Sequence, residues 1–399
     1  MHKLAGYDIA DFIRYYGYPC ETHEVITEDK YILTMHHIPH GKKSKMATEN
    51  CTKPVVFLQH GMFSYSGDWF ISGPGKAFGF ILADAGYDVW VGNARGNKHS
   101  RDHLTLDPNI DSAFWDFSFH EIGYYDIPAM IDHVLMHTQQ ERLFYVGHSQ
   151  GTTVYYVMLS ERPEYNDKII AQYSLSPIAF VSHLFGPMLR MLTYFEKVIK
   201  FSVDLLNIHE LKHNNIIFKY FFHKFCSTHF VQELCAREIF SVTGHNPKEF
   251  NMTLFPVLLA NYPAGCSIKQ LKHFSQEVKS GNFEQYDYGY LGNMVKYHDH
   301  FPPSYKLSNV KAPIYLFCSG NDYLSSLKDV KRLYWSLPDG KKHLWKVEDE
   351  MWNHIDYVFG IHAKDLVYDK IMKSMKTYLK YNDDDDDDDD DGLSLCKVT

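Results

Sequence analysis

The apolar positions of the chain fall into short runs that alternate with helix-period segments. Residues 54 to 60, PVVFLQH, form a β-branched and aromatic run opened by Pro and closed by Gly61, the pattern of a buried strand ending in a loop. GKAFGFILADAG at 75 to 86 predicts a helix ended by Gly86, and YDVWVGN at 87 to 93 a second strand. The alternation continues with a helix over 121 to 138, a strand over 142 to 148, a helix over 151 to 164 and a strand over 168 to 177. Strands alternating with helices of this length predict a doubly wound, mostly parallel α/β sheet with helices on both faces.

The rhythm breaks between Val181 and Leu307. This stretch is dense in Phe, Tyr, Leu and His, carries helix-period runs such as GPMLRMLTYFEKVIKFSVDLL, and shows no convincing buried strand. It predicts a helical insertion seated on the sheet. The strand pattern resumes at 312 to 320, followed by a helix over 325 to 338 and a last strand over 343 to 349. The expected organisation is a core in two parts, 1–180 and 308–381, an insertion over 181–307, and a tail over 382–399.

Composition changes this picture only at the tail. The 399 residues are 45% hydrophobic and 22% charged, which excludes a disordered, collagenous or coiled-coil chain and leaves one or two domains. The 40 Lys and Arg against 49 Asp and Glu give −9, but residues 383 to 391 are nine consecutive Asp, so the body is neutral. No basic face for nucleic acid is implied. The Asp run repels itself and predicts a disordered tail.

Seven Cys cannot all pair within one chain and lack the spacings of a zinc ribbon or redox site. Cys226 and Cys235 are the closest pair, and a bridge there requires an oxidising compartment. Sequons at Asn50 and Asn251 point the same way. The N-terminal residues carry no apolar signal core or small-residue cleavage site, so secretion is not signalled at this start. No stretch reaches the ~18 apolar residues of a membrane span, so no transmembrane anchor is expected.

The chemistry centres on Gly147-His148-Ser149-Gln150-Gly151. This G-x-S-x-G sequence follows the apolar strand RLFYV and opens the helical run TTVYYVML, the strand–turn–helix setting of a nucleophile elbow. Gly147 and Gly151 allow the close backbone approach such an elbow needs. A Ser hydroxyl requires an imidazole to take its proton, and the imidazole a carboxylate to hold its tautomer. Asp322 lies just past the strand PIYLFC, although Gly-Asn-Asp also reads as an ordinary turn. His354 follows the last strand by a short loop; His343 falls in that strand and His362 well into the terminal helix. Backbone N–H groups of Met62, after the first strand, and Gln150 would form an oxyanion hole, with a plain strand-terminating turn the alternative at His60-Gly61.

With these residues in place, the chain resembles the acid lipase family of α/β-hydrolases, the gastric and lysosomal lipases, and most of all its insect members. The resemblance spans nearly all of 7 to 380 and is carried by YYGYPCETHEVITEDKYILTMHHIPHG, LQHGMFSYSGDW, DVWVGNARGNKHSR, FWDFSFHEIGYYDIPAMIDH, YVGHSQGTT, NYPAGCS and WNHIDYVFG. It implies hydrolysis of long-chain acyl esters of neutral lipids, triacylglycerol or cholesteryl ester, at a lipid–water interface. It also implies Ser149, Asp322 and His354 as triad, Met62 and Gln150 as oxyanion donors, 181–307 as a cap with a movable lid, and a Cys226–Cys235 bridge. Family members carry a secretory signal, so secreted or lysosomal residence is implied and the cytoplasm stays open. No metal or cofactor is expected, since side chains and backbone supply each step. The sequence leaves the oligomeric state unassigned. A soluble carboxylesterase or thioesterase on the same fold, and a catalytically silent lipid-binding or storage protein, are the competing readings.

Overall fold

A computed structural model of the chain describes residues 7–42, 51–186, 206–213, 226, 229–385 and 394–395. Eight strands make the central sheet: β1 (Glu21–Ile26), β2 (Tyr31–Ile38), β3 (Val55–Gln59), β4 (Asp88–Val91), β5 (Leu143–His148), β6 (Ile169–Leu175), β7 (Ile314–Cys318) and β8 (Lys342–Lys346). Their order is β1-β2-β4-β3-β5-β6-β7-β8, with the two-residue strand Asp102–His103 added against β2. Pairing is antiparallel from β1 to β4 and parallel from β4 to β8. This is the α/β-hydrolase arrangement, and each predicted strand is present within a few residues of its expected limits.

β3, β5 and β6 are buried along their whole length, as strands covered by helices on both faces must be, so they read as unbroken apolar runs. Among the described residues, ten α-helices of seven or more residues accompany the sheet: α1 (Ile9–Tyr15), α2 (Phe78–Ala85), α3 (Ile127–Thr138), α4 (Gln150–Glu161), α5 (His229–Thr243), α6 (Phe255–Asn261), α7 (Ile268–Ser280), α8 (Gly289–Tyr297), α9 (Leu327–Ser336) and α10 (Asp369–Asp385). Two apolar clusters flank the sheet. One gathers α1, α2, the 352–379 region and Phe240, Phe250 and Phe255; the other gathers α3, α4 and α9 with Phe283 and Tyr305. These five aromatics of the 181–307 stretch are therefore core residues. Cys226 and Cys235 form a disulfide, while Cys20, Cys266 and Cys318 are free and buried. The side chains of Cys51 and Cys396 lie outside the described residues.

Four details differ from the sequence expectation. The β1–β2 hairpin has no counterpart in the predicted alternation, because β1 is an edge strand whose exposed positions dilute the apolar signal. Among the described residues of 181–307 one small strand pair occurs, Glu210–Leu211 with Cys266–Ser267. The terminal helix runs past residue 382 to Asp385, since adding a residue to an established helix costs little, and Ser394–Leu395 pairs with Cys51–Thr52. His362 sits on the turn before the terminal helix, held by Glu249, which accepts from its backbone N–H at 2.9 Å and meets its Nδ1 at 2.8 Å. Parts of the expected lid, 187–205, 214–225 and 227–228, lie outside the described residues, as does Asn50. Asn251 is described and half-buried, its Oδ1 accepting from the Thr253 N–H.

A buried Arg95 closes the fold around the hairpin. Its guanidinium reaches Asp29 in the β1–β2 turn at 2.5 and 2.7 Å, and Asp126 just before α3 at 2.7 Å. Asp126 also accepts from the Arg95 backbone N–H. The Tyr31 ring lies 3.9 Å from the guanidinium.

Candidate active site

The carboxyl ends of β3, β5 and β6 are level, with Gln59 beside Gly147 and His148 beside Leu175. The ladder continues one step beyond, where Ser149 N–H donates to Leu175 O at 3.0 Å and Ser176 N–H to Phe317 O at 3.0 Å. Loops leaving a parallel sheet at this edge converge, which is why α/β proteins place their chemistry there.

Ser149 stands between β5 and α4 at φ 53 and ψ −121, a conformation an L residue holds only when its surroundings enforce it. Packing supplies that enforcement. A Cβ on Gly151 would lie 2.4 Å from Gln59 O, and one on Gly147 would lie 2.6 Å from Gly151 O, so both positions exclude a side chain. The elbow is thus pressed onto the end of β3.

His354 Nε2 lies 2.8 Å from Ser149 Oγ, and its Nδ1 lies 2.9 and 3.1 Å from the two Asp322 oxygens. Of the three histidines open to the base role, His354 alone meets the serine in this way; His343 is on β8, stacked on Tyr315. Asp322 is fully buried. Burial pushes its pKa up, yet His354, the Ser176 hydroxyl and the Ser325 N–H outweigh this and hold it below the usual carboxylate value. The carboxylate therefore stays ionised and orients Nδ1–H, leaving Nε2 to face Oγ.

Ser176 is part of this network and carries no sequence motif. At φ 55 it ends β6, donating to Asp322 Oδ2 at 2.5 Å with its Oγ 2.7 Å from His354 Nδ1. Its only trace in the sequence is Ser-Pro closing an apolar strand.

The loop after β3 abuts the elbow. A Cβ on Gly61 would lie 3.0 Å from Ser149 Cβ, so the loop touches the elbow at Gly61, just before Met62. His60 fixes that turn: its Nδ1–H donates to Gly61 O at 2.7 Å, and Nε2 accepts from Ala94 N–H at 3.1 Å and the Asn97 amide at 3.2 Å. Burial holds the His60 pKa down at about 4, which keeps it neutral and in this tautomer. Gln150 is the first residue of α4, where backbone N–H groups lack helical partners and point outward. His148, beside the serine, is held down at about 3 by burial and by the facing His354; it donates from Nε2 to His354 O at 2.8 Å.

Comparison with known proteins gives the family and the fold. A family model described as a partial alpha/beta-hydrolase lipase region matches residues 9–73, and one described as alpha/beta hydrolase fold matches 54–197. Lipase 3 of Drosophila melanogaster is 43% identical over 363 residues, covering 91% of each chain. The chain belongs to the acid lipase family of α/β-hydrolases. Gastric triacylglycerol lipase of Bos taurus is 38% identical over 375 residues, covering 93% of this chain and 91% of the relative. Human lysosomal acid lipase/cholesteryl ester hydrolase is 36% identical over 372 residues, with the same coverage. Among solved structures, a Sulfolobus solfataricus protein superposes with a TM-score of 0.59 at 13% identity, over 90% of this chain and 94% of that one, a likeness of fold alone.

Proposed function

We propose that the protein is a serine lipase that hydrolyses acyl esters of neutral lipids, triacylglycerol or cholesteryl ester, through an acyl-enzyme. The observation that carries this reading is the unbroken chain Ser149 Oγ, His354 Nε2, His354 Nδ1, Asp322. His354 takes the Ser149 proton as Oγ attacks the ester carbonyl. The carbonyl electrons move to oxygen, where the N–H groups of Met62 and Gln150 hold the charge. Collapse of the tetrahedral intermediate breaks the ester bond, and His354 gives its proton to the departing alcohol. Water then attacks the acyl-enzyme by the same relay, releasing the fatty acid and restoring Ser149. Residues 181–307 act as the cap. Ser149 is 9% exposed, at the floor of the site that the acyl chain must enter.

A lipid surface is supported by α8 and its flank. Leu291, Val295 and Phe301 are 77%, 81% and 76% exposed, with Tyr290 and Met294 beside them, an apolar patch that water disfavours. The Cys226–Cys235 bridge fits residence in an oxidising compartment, secreted or lysosomal. No helix among the described residues is long and apolar enough to cross a membrane. The test is hydrolysis of a short-chain ester across its solubility limit. The rate should rise sharply once an interface forms. Leu291→Ser combined with Val295→Ser and Phe301→Ser should cut activity on emulsified triacylglycerol several-fold while leaving the dissolved ester unaffected. A flat profile with poor emulsion activity would make the protein a soluble carboxylesterase instead.

A further inference from the structure

The β1–β2 hairpin and α3 bring together five metal-ligating side chains that ester hydrolysis does not use. Side chains two apart on a strand share a face, so Glu21 and His23 both project from the same side of β1. Glu21 is the direct cross-strand partner of His37 on β2, and His37 the partner of Trp90 on β4. Helix α3 covers this face with His133 and His137, four residues apart on one side of the helix. One ligand atom from each of Glu21, His23, His37 and His137 lies within 4.8 Å of all the others. The closest pairs are Glu21 Oε2 with His37 Nδ1 at 2.9 Å and with His23 Nε2 at 3.3 Å. Four donors around a tetrahedral zinc ion stand roughly 3.3 Å apart, from bonds of about 2.0 Å. Closing this set needs only small side-chain movements, and Glu21 and His137 are exposed and free to make them.

The outer partners of these groups also match a metal site. His37 Nε2–H donates to Asp88 Oδ1 at 2.5 Å, which fixes the ring, and its Nδ1 faces Glu21 Oε2 at 2.9 Å, where an ion would take the place of the shared proton. Asp88 is itself anchored by Trp90 Nε1–H at 3.4 Å, and the His37 ring stacks on Trp90 at 3.9 Å. His23 Nδ1 lies 3.2 Å from His133 Nε2, leaving His23 Nε2 for the ion. Three imidazoles and one carboxylate suit a borderline-soft divalent cation rather than calcium or magnesium.

We infer that Glu21, His23, His37 and His137 bind one zinc ion that clips the β1–β2 hairpin to α3. The placement gives the clip a role. Arg95 already ties the turn end of the hairpin, through Asp29, to Asp126 at the start of α3. The metal joins the open end of the same hairpin to the last turn of α3. An edge hairpin fixed at both ends cannot peel from the sheet.

Titration of the untagged full chain with zinc chloride, against a chromophoric chelator, tests this. One zinc per chain is expected, with affinity at least about tenfold weaker in Glu21→Gln and in His137→Gln, both surface changes. His343→Gln, at an exposed histidine on β8, should match the parent. Cobalt(II) should give the visible absorption of a tetrahedral ion in the parent and lose it in His137→Gln. Ester hydrolysis of both ligand variants should stay at the parent's level, which also shows that they fold. Several weak sites with equal affinity in all four proteins, or no uptake by the parent, would overturn the inference.

Discussion

Two of the molecule's histidine–carboxylate pairs are built alike and meet different neighbours. At the carboxyl edge of the sheet, Asp322 holds one nitrogen of His354 and the other faces the Ser149 hydroxyl. On the face under α3, Asp88 holds one nitrogen of His37 and the other faces the Glu21 carboxylate, with His23 and His137 alongside. In both places the carboxylate fixes the ring and directs its opposite nitrogen. The group met by that nitrogen decides the chemistry: a hydroxyl makes the imidazole a general base, whereas a carboxylate with further imidazoles beside it makes it one ligand among several.

The comparison can be broken most forcefully at the serine site. His354→Ala should lower kcat by about 10⁵–10⁶ with little change in KM, because base and nucleophile act as one unit. Asp322→Asn should cost about 10⁴ through the wrong tautomer. The matching change in the other pair, Asp88→Asn, should leave ester hydrolysis intact and weaken zinc uptake by about 10–100-fold, measured by chelator competition. If Asp88→Asn impaired hydrolysis instead, the two pairs would not be independent. Ser176→Ala removes one of several donors to Asp322, so a fall of about tenfold in kcat with unchanged KM is expected. An equal loss in Ser176→Ala and Asp322→Asn would move Ser176 into the core of the relay.

A third carboxylate sharpens the role of the partner. Asp68 is fully buried like Asp322, but it faces the Tyr262 hydroxyl rather than an imidazole. Burial dominates, only partly offset by hydrogen bonds from Ser64 and Tyr262 and by Lys98, and pushes its pKa up to about 7. A folded-state pKa above the unfolded value means that the native state holds an extra proton between about pH 4 and 7. The resulting stability is complete below about pH 4 and is lost as pH rises toward 7. Relative to Asp68→Asn, the parent should therefore lose about 1.4 kcal/mol per pH unit across that window, read by urea unfolding at pH 5 and 7. A pH-independent difference would show that Asp68 is ionised throughout.

How much of this was legible in sequence follows from where each residue sits. Ser149, Asp322 and His354 each follow a strand in the predicted alternation, so chain order alone places them along one sheet edge. The elbow adds its two glycines, whose need is local and therefore visible. Ser176 ends a strand too, but a lone Ser-Pro has no distinctive spacing, and only the approach of β6 to β7 gives it a role. The proposed zinc site has no sequence motif. Its donors come from two neighbouring strands and a helix a hundred or more residues further along the chain, and only the antiparallel register of Glu21 with His37 and the docking of α3 collect them. Twenty-four histidines scattered along the chain conceal such a set.

The central claim is that Ser149 is the nucleophile of an acyl-transfer relay. Labelling with a fluorophosphonate probe, which reacts only with an activated serine, tests it directly. The parent should label at Ser149 with one probe per chain, and Ser149→Ala should not label at all while retaining the parent's circular dichroism and unfolding transition. Persistent stoichiometric labelling of folded Ser149→Ala would place the nucleophile elsewhere and contradict the account.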